Sequence, residues 1–299
     1  MGLFSKLFSK TSASEPLIDH EIEGDVLSLQ IVFAREFQFD ATALERTLRG
    51  YSSETKKGSC QLLSGTLEQG TPLGLIGWGP HVVRVIGFNQ PMPSATVETC
   101  VGPAHYDQQR KAQVRAHAAH VVLFYAGREE SRLEQYVALA VIAGVLAEHG
   151  AIAVLNEAAH TSLPAAVFAK SDDITLDSLR TMPLPLLFIG MVKYEVEGTP
   201  GVWLRTYGAH LLGLADFAHL ASGHDQGEKT FGIFANILTY QLKSGARFAA
   251  GHTAQVGTDT FMKLRAPDEQ EYLLDSDHEI YVVEFASASE MNRGTPVTA

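Results

Sequence analysis

The chain has 299 residues, enough for one large domain or two of ordinary size. Hydrophobic residues make up 45% of it and charged residues 19%, a balance typical of folded globular proteins and not of disordered or fibrous ones. The net charge of −11, without a stripe of lysines, arginines and aromatics, argues against a nucleic-acid partner. Cys60 and Cys100 are too few for a disulfide scaffold and are not paired as in a zinc ribbon, so we expect a reduced, cytoplasmic protein.

The apolar segments predict buried structure and no transmembrane segment. The longest apolar run, residues 136–147, is shorter than the roughly 20 residues that cross a bilayer. Residues 1–10 would form an amphipathic helix that carries two lysines, so contact with a membrane surface or a partner is the alternative to a loose tail. We expect residues 1–24 to be a flexible leader and residues 287–299 a flexible tail.

Residues 25–130 predict a first β-α-β-β-α-β unit. Asp40 is a typical N-cap for the first helix, and Gly79-Pro80 is a typical turn between two short apolar runs. The predicted elements are a strand at 26–34, a helix at 41–50, hairpin strands at 70–79 and 81–88, a helix at 104–120 and a strand at 121–127. A helix at 131–149 follows, capped by Ser131 and apolar on most faces, which predicts a buried linking segment at 131–150.

Residues 151–286 repeat the same order of elements. The predicted elements are a strand at 151–156, a short helix at 162–170, hairpin strands at 184–195 and 201–208, a helix at 227–243 and closing strands at 261–266 and 279–285. Two successive β-α-β-β-α-β units predict an α+β protein of two tandem ferredoxin-like units, joined by the buried linking helix.

The second half resembles a bacterial family, domain of unknown function 4261. The resemblance lies in "MPLPLLFIGMV", in "RTYGAHLLGLADF" and in "LKSGARFAAGHTAQVGTD", and it extends into the final "LRAPDEQEYLLDSDHEIYVVE". It is strongest over residues 182–284 and weaker over 26–170. Tyr207-Gly208 and the "TAQVGTD" segment recur in that family, whereas His210 and the histidine-rich loop depart from it. The family has no established activity, so the resemblance implies a domain and no chemistry.

The histidines between residues 204 and 224 do not predict a metal or catalytic site. His210, His219 and His224 lack the i, i+3 or i, i+4 spacing of two ligands on one helix face. Asp216 and His219 do have an i, i+3 spacing, but apolar neighbours favour an ordinary, partly buried histidine. Ser222, His224 and Asp225 are too close in the chain to form a triad, and Asp225 is better explained as the N-cap of the next helix, with Glu228 in the capping box.

No cofactor is predicted either, because the glycine-rich residues 70–81 lack both the dinucleotide fingerprint and the P-loop pattern. We therefore expect no catalytic residue, no metal and no cofactor.

One row of residues has the composition of a binding surface. Trp203, Arg205 and Tyr207 alternate along a predicted strand, so they share one face of the sheet, and these residue types are enriched where binding energy concentrates. Alternatively, the face is covered and Arg205 merely extends outward from the edge of the core. We expect Trp203 to be mostly buried, with Arg205 and Tyr207 carrying whatever contact there is.

These patterns favour a non-enzymatic protein that binds another macromolecule. An acidic scaffold suits a basic partner, so we expect a protein partner, as for an immunity or accessory protein of a bacterial toxin or secretion system. The alternative is an enzyme or small-ligand-binding protein that uses the cleft between the two units, where Arg205, Tyr207, His210 and His224 would converge.

Overall fold

The computed structural model describes residues 17–18, 26–63, 73–182 and 187–293. They form two β-sheets with helices packed against them, so the predicted α+β class is confirmed. The helices are α1 Ala41–Tyr51, α2 Ser94–Val101, α3 Gln108–Arg115, α4 Arg132–Glu148, α5 Leu176–Thr181, α6 Gly227–Ser244 and α7 Ala288–Arg293. Among these described residues, no helix is both long and apolar enough to cross a membrane. The amphipathic segment at 1–10 lies outside them, and α7 falls within the predicted tail.

The first sheet contains seven strands in the order β2-β3-β4-β5-β1-β6-β7. The strands are β1 Ser28–Phe33, β2 Ser59–Leu62, β3 Leu73–Trp78, β4 His81–Phe88, β5 Ala119–Tyr125, β6 Ala151–Asn156 and β7 Thr161–Pro164. Every neighbouring pair is antiparallel. The apolar β1 is central, with β5 on one side and β6 on the other.

The second sheet contains six strands in the order β11-β12-β13-β10-β9-β8. The strands are β8 Gly190–Tyr194, β9 Val202–Tyr207, β10 Asp216–Ala221, β11 Thr253–Gly257, β12 Thr260–Arg265 and β13 Ile280–Ala286. β10 and β13 are parallel, and the other pairs are antiparallel. The α6 helix follows β10 and packs on one face of this sheet.

The prediction of two tandem ferredoxin-like units is not confirmed. The predicted pairings of β1 with β5 and of β8 with β9 are present. A ferredoxin-like unit, however, is a split β-α-β arrangement, whose helix joins parallel strands. The first sheet has no parallel pair among its described strands, and residues 151–164 complete this sheet as β6 and β7. The pattern of elements along the chain could not reveal these long-range pairings.

The predicted buried helix is confirmed as α4, but it covers the first sheet. Ser131 accepts a hydrogen bond from the backbone of Glu134, and residues 135–146 are buried. The helix contacts β1, β4, β5 and β6 and also the turn at 209–212 in the second half. One continuous cluster of buried apolar side chains includes residues of both sheets, Ile31 and Leu204 among them. The two halves therefore share a core.

Two predicted helices differ locally from the structure. The helix expected at 104–120 is shorter, because α3 ends at Arg115 and β5 starts at Ala119. Residues 162–170 contain β7 and a 3₁₀ turn at Ala165–Phe168, so Pro164 ends an edge strand, where its missing N–H is tolerated. The unpredicted α2 packs Val97, Cys100 and Val101 into a small cluster with β1 and β6.

Four partly or fully buried histidines predict a pH-dependent stability. Burial lowers the pKa of His81, His120, His160 and His219, because a charged imidazolium would lose hydration. As the pH falls below the ordinary value of 6.5, the unfolded chain binds protons that the folded chain resists, so the free energy of unfolding decreases. We expect a melting temperature that is level near neutral pH and falls progressively between pH 6.5 and about pH 5.

This fall is measured by thermal denaturation across the pH range. His81 is only 5% exposed, so H81Q should reduce the slope. H105Q at the exposed His105 is the control and should leave the slope unchanged. A melting temperature that rises on acidification would contradict the prediction.

Candidate functional site

The alternation of side chains along β9 produces two different faces. Val202 and Leu204 belong to the core that α6 covers with Phe231 and Phe234. Trp203 lies on the other face, in a separate apolar cluster with Leu274, Ile280 and Val282. Arg205 and Tyr207 follow Trp203 on that face, and the guanidinium carbon of Arg205 lies 4.3 Å from the centre of the Tyr207 ring.

A 3₁₀ segment, Glu269–Leu274, covers this second face. Leu274 packs in the Trp203 cluster, and the carbonyl oxygen of Leu273 accepts a hydrogen bond from Nη1 of Arg205 at 3.1 Å. Trp203 is therefore only 2% exposed and Arg205 6%, whereas Tyr207 is half-buried. The row is a covered face and not an open surface, and Trp203 is buried as expected.

His160 joins the first half of the chain to this row. It follows the turn after β6, and its ring stacks on Tyr207 with centroids 4.1 Å apart. His160 and Arg205 thus both contact the Tyr207 ring, His160 by stacking and Arg205 through its guanidinium. His160 has a φ of +49°, the left-handed region that non-glycine residues rarely adopt. Such strain persists where the surroundings impose it, often at functional sites.

Three buried hydrogen-bond donors around the row lack an acceptor among the described residues. They are the hydroxyl of Tyr194, which lies close to Arg205 and Tyr207 without a well-formed hydrogen bond to either, Nε1 of Trp203 and Nε of Arg205. Tyr194 lies directly opposite Trp203 in the β8-β9 pair, so the three groups are neighbours. Buried polar groups without partners are rare in folded proteins. We call His160, Tyr194, Trp203, Arg205 and Tyr207 the junction cluster.

The junction cluster carries a buried positive charge. Arg205 forms no ion pair with a carboxylate in the part of the chain that the structure describes. Its guanidinium contacts the Leu273 carbonyl and the face of Tyr207 and lies close to the Tyr194 hydroxyl. Burial raises the pKa of Tyr194 to about 12, so this hydroxyl keeps its proton. Burial, and then the charge of Arg205, lower the pKa of His160. The cluster is thus a cationic group of hydrogen-bond donors in a chain of net charge −11.

His210 belongs to a separate arrangement. Its Nδ1 lies 3.5 Å from Oδ2 of Asp216, whose other oxygen accepts hydrogen bonds from Thr206 Oγ1 and the Ala209 amide. The His278 ring stacks on His210 at 3.6 Å and 8°. The in-plane lone pairs of parallel rings do not converge on one ion. Among the described residues, no three histidines, cysteines or carboxylates are grouped to hold a metal.

His224 forms a separate, exposed pair. Its Nε2 is 3.0 Å from Oε1 of Glu195, which follows the cluster residue Tyr194 just beyond the end of β8. The predicted capping role of Asp225 is wrong, because α6 begins at Gly227 after Gln226 and has no side-chain cap. Of the four residues expected to converge in the cleft, the structure brings Arg205 and Tyr207 together, whereas His210 pairs with Asp216 and His224 with Glu195.

Two members of the junction cluster were missed by the sequence analysis. The position of Tyr194 was predictable from the sequence, because the hairpin turn at 198–200 sets it opposite Trp203. His160 carries no local signal, since it comes from the first half of the chain and only the packing of the two halves brings it to Tyr207.

The family resemblance is confirmed over part of its expected range. Residues 205–280 match the model of a family described as a domain of unknown function (DUF4261). The matched segment begins at Arg205 and includes Tyr207 and the covering segment. Neither the curated proteins nor the solved structures gave a significant match.

Proposed function

Since residues 205–280 are assigned to DUF4261, a family without a described function, we propose a function from the geometry: the protein is a non-enzymatic binding protein whose site is the junction cluster. The observation that carries this proposal is the group of three buried donors without acceptors, on Tyr194, Trp203 and Arg205. Unpaired buried donors cost stability, and a bound partner that offers acceptors would compensate for that cost.

The character of the cluster supports binding over catalysis. Its polar groups are a guanidinium, an indole N–H and phenol hydroxyls, which hold an acceptor in place at neutral pH. The imidazole of His160 is stacked on Tyr207, and the low pKa that burial gives it favours the neutral ring. These groups orient a ligand and do not form a nucleophile-base pair.

We propose a protein as the partner, in a role such as that of a cytoplasmic immunity or accessory protein of a bacterial toxin or secretion system. The net charge of −11 supports this proposal, because it favours a basic partner through long-range attraction. Such a partner would reach the cluster at its half-exposed margin, at Tyr207 and His160.

A second candidate function is the binding of a small ligand between the two halves. The burial of Trp203 and Arg205 under the covering segment favours it, because a flat protein surface does not reach buried donors as easily as a small group does. The contribution of His160 from the first half and of Arg205 from the second also fits a ligand at a junction.

Site-specific photo-crosslinking in the native cell tests the proposed site. Tyr272 on the covering segment and Tyr240 on α6 are both exposed tyrosines, on opposite sides of the second sheet. A photoreactive phenylalanine in place of Tyr272 should give a discrete adduct, and the same residue in place of Tyr240 should not. H160G should abolish the adduct while the protein stays folded, because glycine suits the left-handed backbone.

The two candidates give different readouts. A protein partner gives an adduct of raised mass on a gel, whereas a small ligand gives a mass increment on the intact protein in native mass spectrometry. Equal adducts at both positions, or an adduct that H160G leaves unchanged, would refute the site.

A further inference from the structure

We propose that the ligand of the junction cluster is a carboxylate, held by Arg205 and Tyr194. This inference rests on the proposed function, since it names the chemistry that the same site would recognise. The inference also goes beyond the proposed function, because a partner could dock at the cluster without presenting an anion.

The unpartnered atoms determine the class of ligand. Nε of Arg205 and Nε1 of Trp203 only donate hydrogen bonds, and the hydroxyl of Tyr194 also carries a proton to donate. Three donors with no acceptor among the described residues call for a ligand rich in acceptors. The charge of Arg205 calls for a negative one, because a buried cation without a counter-charge is costly.

The orientation of Arg205 leaves a suitable edge for this ligand. Nη1 is bonded to the Leu273 carbonyl, whereas Nε forms no hydrogen bond with the described residues. A guanidinium binds a planar carboxylate with two parallel N–H···O bonds along one edge. The hydrogen bond from Nη1 to the Leu273 carbonyl and the stacking of the guanidinium on Tyr207 would fix the plane of that edge.

A carboxylate fits better than a phosphate. The cluster contains a single permanent cation, and its donors lie on strands β8 and β9 and not at a helix N-terminus, where phosphates commonly bind. One guanidinium balances one monoanion. The rings of Trp203, Tyr207 and His160 flank the charge, so they offer apolar surface to the organic body of the acid.

A carboxylate could come from a free organic acid or from the C-terminus of a peptide. Sodium benzoate represents the first source, and a short peptide with a free or an amidated C-terminus represents the second. Inorganic phosphate is the comparison anion, and sodium chloride at matched ionic strength controls for general salt effects. Binding is followed by the melting temperature of the full chain and by isothermal titration.

We expect benzoate or the free-acid peptide to raise the melting temperature, and phosphate and the amidated peptide to leave it unchanged. R205M and Y194F should each weaken carboxylate binding by about tenfold or more, because each removes a hydrogen bond to a charged group. R247M removes an exposed arginine in the same half, whose guanidinium donates to the carbonyl of its neighbour Ala246, and should leave binding unchanged. Equal stabilisation by phosphate, or an undiminished carboxylate effect in R205M, would overturn the proposal.

The melting of R205M without ligand separates a binding role from a structural one. Methionine keeps much of the side-chain volume and removes a buried, uncompensated charge. If Arg205 serves to bind a ligand, the melting temperature of R205M should therefore be unchanged or higher. A marked fall would mean that Arg205 serves the fold through Leu273 and Tyr207. Should R205M fail to fold, Y194F and R205K still test the carboxylate, since lysine keeps the charge and loses the planar edge.

The crosslinking and the titration fail independently. An adduct at position 272 that depends on His160, together with no binding of any carboxylate probe, would keep the proposed site and overturn the carboxylate. Carboxylate binding that R205M abolishes, together with no such adduct, would support the carboxylate and overturn a macromolecular partner at the cluster.

Discussion

Trp203→Ala should lower the free energy of unfolding by about 3–5 kcal/mol. The indole is only 2% exposed and packs with Leu274, Ile280 and Val282. Its removal loses the favourable free energy of burying a large apolar surface and leaves a cavity between β9 and the covering segment. Chemical denaturation of the purified protein measures this loss.

Tyr272→Ala is the matched control, because this aromatic residue lies on the covering segment and is 73% exposed. We expect it to change the free energy of unfolding by less than about 0.5 kcal/mol. Trp203→Phe should retain most of the stability, since it keeps an aromatic ring and removes a donor that has no described acceptor. A loss below about 1 kcal/mol in Trp203→Ala would mean that the face is open and not covered by Glu269–Leu274.

Gly190→Ala should destabilise the protein by about 3 kcal/mol or more, because it forces overpacking against a backbone. A Cβ atom at Gly190 would overlap the carbonyl oxygen of Ala159, which belongs to the turn that presents His160. Gly190 also pairs with Tyr207, so the displacement would disturb the site at its margin. Chemical denaturation gives the loss, and the dissociation constant for the carboxylate probe reports the disturbance of the site.

Gly232→Ala provides the opposite control. Gly232 lies in α6, and a Cβ atom there would meet no atom within 4 Å. Alanine is the better helix former, so this change should raise the free energy of unfolding by about 0.5–1 kcal/mol. If Gly190→Ala and Gly232→Ala change the free energy of unfolding alike, the close contact between β8 and the turn before His160 is not the cause of the change in Gly190→Ala.

The elements that the sequence predicts well carry local signals. The β3-β4 hairpin follows from two apolar runs around Gly79-Pro80, and the capping residues Asp40 and Ser131 mark the helices that follow them. β10 was missed, because its residues Asp216–Ala221 were interpreted as part of a histidine-rich segment. Its strand conformation depends on pairing with β13, which comes after α6 and a hairpin, and no local pattern reveals that pairing.

The same distinction holds for the site. Arg205 and Tyr207 share a face because side chains alternate along a strand, and this is visible in the sequence. The burial of Trp203 under Glu269–Leu274 was only one of two alternatives, because a short 3₁₀ segment has no periodicity to identify it. The stack of His160 on Tyr207 depends on how the two halves pack, which no local pattern encodes.

The position of β1 in the middle of the first sheet has a consequence during synthesis. This apolar strand leaves the ribosome well before its partners β5 and β6, which are translated only near residues 119–125 and 151–156. At typical rates of about 5–20 residues per second, the strand waits on the order of ten seconds with both edges unpaired. Nascent chains of this protein should therefore need a chaperone that shields β1 until α4 and β6 have emerged.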